Sequence, residues 1–289
     1  MSAAPSPRIL RLDDNFRWPG GRRLAVIFNI AYEAWSDGQA PVIVPMGNVL
    51  KPGFFDTNAD SWARFGMVRG IHRLLDIAER RQVRTSIMVN GVLAERDPAT
   101  VKSLHERGHE IVNHSWGMDV IPVYLDEAAE RENIRRNHDI LHRVAGVEPV
   151  GWISPRGTGS ANSVRLLAEA GYLHHGDCND DDRPYVVDYG DHRIVGIPLT
   201  MDVNDLPTCI RYGHAPRHML DAFRDTFEVM RTRERAPLML DVTAHTHVMG
   251  RPSGAWVYDE IIGIVQQHHD VWITTREEMA RYVLKHVTA

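Results

Sequence analysis

Cysteine is nearly missing from this chain: Cys178 and Cys209 are the two among 289 residues. Two are too few for a disulfide framework, and they lack the paired spacing of a structural zinc site. A reduced, cytoplasmic setting is expected. Long apolar runs are missing as well. No stretch approaches the roughly eighteen consecutive apolar residues of a membrane span, and Met1 to Arg11 has no apolar core of the length a signal peptide needs. The reading is of a soluble, unexported protein with no membrane partner. Nor is there an excess of positive charge. With 33 Lys+Arg against 38 Asp+Glu, the formal net charge is −5, whereas a general polyanion binder needs a basic surface to neutralise phosphates. Nucleic acid is thereby set aside as a partner, the local pairs Arg22-Arg23 and Arg135-Arg136 notwithstanding. No repeat interrupts the chain, and no low-complexity tract beyond its start at Ser2 to Pro7.

What remains is the composition of an ordinary globular protein, 43% apolar and 25% charged. Such a chain is long enough to bury about three quarters of its unfolded surface. Barrels of roughly 200–250 residues are routinely one domain, so a single domain over 1–289 is expected, with 1–20 as an N-terminal extension. Leu24 to Ile30 is short, apolar and rich in β-formers, which suits a strand buried on both faces. The Gly- and Pro-rich loop that follows, Ser36 to Asp56, is longer than a connection requires and reads as functional or disordered. Met46-Gly47-Asn48 at its middle could close over a site or pack on a neighbouring subunit. Met67, Ile71, Leu74, Leu75 and Ala78 repeat with helical spacing over Phe65 to Arg81. Further strands are predicted at Thr85 to Val89, Glu110 to Val112, Pro149 to Ile153, Tyr172 to His174, Ile194 to Pro198, Leu238 to Thr243 and Val271 to Ile273. Helices are predicted at Leu125 to Val144, 162–170, Arg217 to Arg233 and Tyr258 to His268. A last one opens at a capping box, Thr275 with Glu278. Strands alternating with helices imply parallel βα units, in a barrel or a doubly wound sheet.

Polar residues collect just after these strands: Tyr32-Glu33, Asn90, His114-Ser115-Trp116, Ser154-Pro155-Arg156, Asp177 to Asp182, and His245-Thr246-His247. In parallel α/β folds ligands bind at the carboxyl ends of the strands, so six such clusters would converge on one mouth. That convergence is the main argument for an enzyme. Glu33 is placed to act as a general base, its proton affinity raised by apolar neighbours, or else to cap a backbone amide. His114 suits a metal, a substrate or a structural hydrogen bond. Asn179-Asp180-Asp181-Asp182 can hold a metal, orient an arginine or form a solvated turn. His245 and His247, two apart on a strand, share a face, as a metal pair or as one acid–base histidine with a structural neighbour. Gly250-Arg251-Pro252 forms a tight turn that presents Arg251. Arg156 can take a carboxylate or carbonyl in bidentate fashion, or pair with the Asp180 to Asp182 run.

In order, Tyr32-Glu33, Gly108-His109-Glu110 followed by His114-Ser115, Gly151-Trp152 with Arg156, Asp181-Asp182 with Pro184-Tyr185, and His245 with Gly250-Arg251-Pro252 resemble the polysaccharide deacetylase superfamily. Within it they resemble the branch of metal-independent allantoinases and cyclic imide hydrolases. The resemblance runs from about Leu24 to Leu284. It implies a single-domain α/β fold, a distorted (β/α) barrel, hydrolysis of a carbon–nitrogen bond in an acetamido sugar or a ring amide, and a homo-oligomer, dimer or tetramer. A metal-dependent sugar deacetylase resembling the wider family would carry Asp-Asp after the first strand and H-S-x-x-H after the third. Here the first site reads Tyr32-Glu33-Ala34 and the fifth position of the second is Met118, which cannot replace an imidazole on a hard or borderline cation. The allantoinase-like branch often has a second Glu where Ala34 stands and a residue other than His at 247, which points away from allantoin itself.

The expected activity is therefore the opening of an imide or ureide ring in a small-molecule substrate, with no cofactor required. Glu33 is expected as base or water-positioning carboxylate and His245 as acid. His114 and Arg156 would hold and polarise the ring carbonyls, Asp181 or Asp182 would orient Arg156 or a histidine, and Trp116 and Trp35 would sandwich a flat ring. His247 and Arg251 complete the substrate-binding set. One alternative is a polysaccharide or N-acetyl-sugar deacetylase dependent on zinc or another divalent metal, with ligands among Glu33, His114, Asp119 and His245. Another is a catalytically inactive small-molecule binding protein.

Overall fold

The computed structural model describes residues 7–42, 44–45, 50–51 and 53–287; Met46-Gly47-Asn48 lies outside them. The chain opens with β1 (Arg8–Arg11) and β2 (Leu24–Tyr32), all nine of whose residues are buried. Asp56 caps the next helix by accepting from the amides of Asn58 and Ala59. There, α1 (Thr57–Phe65) and α2 (Ile71–Arg80) form one helical run through a π turn at Gly66–Gly70. Next come β3 (Ser86–Val89), α3 (Gly91–Arg96), α4 (Pro98–Glu106), β4 (Glu110–Asn113) and α5 (Glu127–Ala145). They are followed by β5 (Gly151–Trp152), α6 (Ser163–Glu169), β6 (His174–His175), β7 (Tyr185–Asp188) and β8 (Arg193–Gly196). The chain ends with α7 (Arg217–Thr232), β9 (Leu238–His245), α8 (Pro252–Gln266), β10 (Val271–Thr274) and α9 (Arg276–His286).

The sheet runs β1-β7-β8-β6-β5-β4-β3-β2, and β2 is its hub. One edge of β2 carries β9 from Leu24↔Leu238 to Ala31↔His245; the other is shared by β10 (Leu24 to Ile27) and β3 (Asn29 to Tyr32). Every pairing is parallel except those of β7 with β1 and β8. Beyond β8 the chain returns to β9 through a lone parallel bridge, Asn204↔Thr243. The sheet thus curls into the expected distorted α/β barrel, and the parallel strands end toward one rim. Among the described residues, no helix is long and apolar enough to cross a membrane.

Three features differ from the sequence reading. Helices α3 and α4 fill a stretch left unassigned, although Asp97 and Pro98 at the start of α4 form a cap and first-turn pair. Strand β7, also unassigned, makes a hairpin with β8 around Gly190 at φ 91°. Residues 8–20 are bound into the domain rather than set apart as an extension. β1 pairs with β7, and the buried Trp18 donates from its indole to the Leu238 carbonyl at 2.9 Å.

The barrel interior is polar at mid-height. Arg276, the first residue of α9, is fully buried; it donates to Asn29 Oδ1 and to the Ile197 carbonyl, each at 3.0 Å, and to the Asp241 carboxylate. Its amide donates to Ser86 Oγ at 2.9 Å, and Ser86 donates to Glu110 Oε2 at 2.6 Å. The other Glu110 oxygen meets His174 Nε2 at 2.8 Å. One continuous network therefore joins α9 to β2, β3, β4, β6 and β9. Removing one partner from a buried ion pair leaves an uncompensated charge. Arg276→Leu is accordingly expected to lose about 3–5 kcal/mol in urea unfolding, with partial recovery when Asp241→Asn is added. A loss too small to measure would show that the pair does not support the barrel.

Candidate active site

Strand register decides which side chains meet at the rim. Tyr32 pairs with Val89, Val89 with Asn113, and Ala31 with His245. Glu33 and His114 each follow the last paired residue of their strands, and Glu33 stands two residues beyond Ala31, the partner of His245. All are buried, with Glu33 4%, His114 3% and His245 5% exposed. His114 Nε2 lies 3.3 Å from Glu33 Oε1, His245 Nε2 lies 3.4 Å from the same oxygen, and His247 Nε2 lies 3.8 Å from Oε2. Two glycines allow this approach. A Cβ on Gly70 would come within 1.9 Å of the Thr246 carbonyl oxygen, and one on Gly250 within 2.1 Å. The His245-Thr246-His247 segment can pack there only against bare backbone.

Each imidazole is oriented from behind. His114 Nδ1 donates to the Ile153 carbonyl, which can only accept, and this turns Nε2 toward Glu33 Oε1. His245 Nδ1 meets Asp205 Oδ1 at 2.6 Å. Asp205 also accepts from the His245 amide at 2.9 Å and the Met249 amide at 3.1 Å. Burial by itself would raise the Glu33 carboxyl, but the facing His245, His114 and His247 outweigh it and hold the group well below the usual carboxylate range. Burial would likewise lower His245, yet the charges of Glu33 and Asp205 push it up to about 10. Burial dominates at His247, which falls to about 4. At neutral pH the site thus holds a Glu33 carboxylate, a His245 imidazolium and a neutral His247.

Asp205 had no sequence signal. It lies forty residues from His245 in an irregular stretch, and only the Asn204↔Thr243 bridge brings it into place. Asp177 lay within the run from Asp177 to Asp182 but was not singled out. It accepts from the Ser154 amide at 2.7 Å and the Ser154 hydroxyl at 2.5 Å, and burial raises its carboxyl. Those bonds fix the Ser154-Pro155-Arg156 turn, in which Arg156 takes φ 60°. A cavity of about 700 Å³ opens at the rim, with Glu33, His114, His245, Arg156 and Met118 in its walls. A second cavity of about 300 Å³ borders Glu33, Trp35 and Met67.

Other expected site residues are engaged elsewhere. The Arg136 guanidinium lies 3.2 Å from the Trp116 ring centroid, and Trp35 sits edge-on to His247 at 5.9 Å, so the two indoles form no sandwich. Trp62, not foreseen, contacts His247 at 4.7 Å. Asp181 pairs with Arg11 and Arg183, and the Asp182 carbonyl accepts from the Met239 amide at 3.0 Å. Neither orients Arg156 or a histidine, because β1 carries Arg11 to the acidic run. Arg251 donates to the His247 carbonyl at 3.1 Å and the Trp62 carbonyl at 3.3 Å and lies over Phe65, so it braces the His247 segment instead of facing substrate. Asp119 accepts from the Ser36 amide at 2.7 Å.

The donor set does not fit a metal. Asp119 is held by the Ser36 loop, and Met118 stands in the cavity wall with a thioether unsuited to a hard cation. Among the described residues, no group of three or more His, Cys, Asp or Glu side chains is arranged to hold an ion.

A parallel-stranded barrel with a carboxylate–imidazole cluster at its rim defines a hydrolase-type site. Residues 57–174 match the sequence profile of the family described as Polysaccharide deacetylase. It is similar to the crystal structure of PuuE allantoinase, at 27% identity and a TM-score of 0.85, with 94% of each chain covered. A protein of Pseudomonas aeruginosa PAO1 assigned to the polysaccharide deacetylases gives 29% identity and a TM-score of 0.85, over 94% of this chain and 95% of that one. The peptidoglycan deacetylase of Helicobacter pylori is 22% identical, over 72% of this chain and 82% of that protein.

Two charges raise His245, so removing one lowers it. In Asp205→Asn the alkaline limb that His245 is expected to set near pH 10 in the native kcat/KM profile should move down by roughly 1–3 pH units. An unmoved limb would show that His245 is not the acid.

Proposed function

We propose that the protein opens the ring of a cyclic imide or ureide by adding water to a ring carbonyl. The observation that carries this reading is the direct engagement of Glu33 by imidazole nitrogens, with Met118 where a metal-dependent relative would place a ligand. Water held by Glu33 attacks the carbonyl carbon, and the oxyanion that forms is stabilised by the neighbouring imidazole N–H groups. His245 Nε2 then gives its proton to the ring nitrogen as the carbon–nitrogen bond breaks. Glu33 starts as a weak base. Loss of the proton from His245 at bond breaking removes the positive charge that depresses Glu33, so the proton taken from water is then held more firmly. Direct contact between Glu33 Oε1 and His245 Nε2, at 3.4 Å, offers a path for returning that proton and resetting the site. Arg156, exposed at the rim, is left to contact the part of the substrate away from the attacked carbonyl.

The curated relatives named as deacetylases favour N-acetyl-sugar deacetylation as a second reading. One experiment separates the two. Succinimide, hydantoin, allantoin and N-acetylglucosamine oligomers are assayed before and after exhaustive chelation, with metal content measured in parallel. Ring opening that survives chelation is expected; acetate release that depends on stoichiometric zinc would overturn the proposal. With the active ring substrate, Glu33→Gln should lower kcat by about two to four orders of magnitude while ligand binding persists.

A further inference from the structure

The catalytic cavity carries more positive charge than the proposed chemistry uses. Its acidic, basic and histidine lining consists of Glu33, Asp202, Arg156, Arg211 and four histidines. Glu33 and the His245 imidazolium offset each other. Asp202 offsets one guanidinium, and the other has no acidic side chain left to balance it in the lining. Asp202 also lies near enough to Asp182 to add to the rise that burial causes in that carboxyl. Among the described residues it forms no ion pair with either arginine, and neither guanidinium donates a hydrogen bond.

The fold constrains both arginines. Arg156 holds φ 60°, in the left-handed region that long side chains avoid, and its turn is pinned by Asp177 on Ser154. Strain of this kind persists where the surroundings over-determine it, and it clusters at ligand clamps. Arg211 closes the π turn Leu206–Arg211, which starts beside Asp205. The segment that orients His245 therefore also delivers Arg211 to the cavity. Met88, Ile153, Leu199 and Leu206 supply an apolar wall that suits a ring and leaves charge to the two guanidiniums.

We propose that Arg156 and Arg211 form an anion subsite, and that the ring amide opened at Glu33 carries a carboxylate arm. This rests on the ring-opening reading and adds the chemical class of its substrate. A monoanion cancels the charge excess, and planar guanidiniums match a carboxylate in geometry.

Turnover of hydantoin-5-acetate is compared with that of its methyl ester, in the native protein and in Arg211→Gln. Binding of succinamate is compared with that of neutral succinamide by isothermal titration. Arg211 is exposed, and circular dichroism verifies that the variant folds. The acid is expected to exceed the ester by about tenfold or more in kcat/KM, mainly through KM, and the ratio should fall toward one in Arg211→Gln. Succinamate should bind where succinamide does not. Equal turnover of acid and ester, or a preference that survives in Arg211→Gln, overturns the subsite while leaving ring opening intact. If neither ring is opened, the ring-opening reading fails and binding alone decides. Selective binding of succinamate that Arg211→Gln abolishes then upholds the anion subsite, and indifferent binding overturns it.

Discussion

The negative charge of Glu33 is the constraint around which the rim is built. A carboxylate only 4% exposed is costly unless it is paired, and here the pairing comes from imidazoles that are themselves fixed from behind. His114 is set by a backbone carbonyl beyond β5, and His245 by Asp205. Asp205 in turn depends on the bridge between Asn204 and Thr243, where the curled sheet meets itself. Closure of the barrel and the protonation state of the acid are thus linked by one short chain of contacts. The same charge explains why Glu33 cannot act as a strong base at rest, and why its basicity must grow as His245 discharges.

A second polar layer lies deeper in the barrel. Parallel barrels usually fill their interiors with branched apolar side chains, but here Arg276, Asp241, Glu110 and His174 occupy that space with nearly every hydrogen-bonding group of the first three engaged. Gly151 makes room for the His174 ring, since a Cβ there would come within 2.1 Å of it. Such a network is sensitive to register, because each partner comes from a different strand. It holds β2, β4 and β9 in the alignment that brings Glu33, His114 and His245 together, so the structural layer positions the chemical one.

Local signals explain what could be read from the sequence. The apolar run of β2 and the strand β9 were legible because both are buried along their whole length. The capping box at Thr275 and Glu278 forms as its spacing implies, and the clusters carrying Glu33, His114, His245 and Arg156 do meet at one mouth. Strands β5 and β6, two residues each, carry too little pattern to fix their ends and take their register from neighbours. Asp205 was invisible because a buried acid in an irregular segment looks like any loop residue until a tertiary bridge places it. Asp181 was misassigned for the complementary reason: its partner Arg11 lies in a segment that sequence alone set aside. The two indoles at 35 and 116 follow rim strands equally closely, and only packing distinguishes the one beside His247 from the one beneath Arg136.

The protonation state of His245 tests the central claim most directly. With ring nitrogens labelled by 15N and signals assigned by a His245→Gln comparison, the account predicts an imidazolium that persists through neutral pH and titrates near pH 10. The same histidine should titrate markedly lower in Glu33→Gln. A His245 that titrates near the ordinary 6.5 in the native protein, and does not respond to Glu33→Gln, would contradict it.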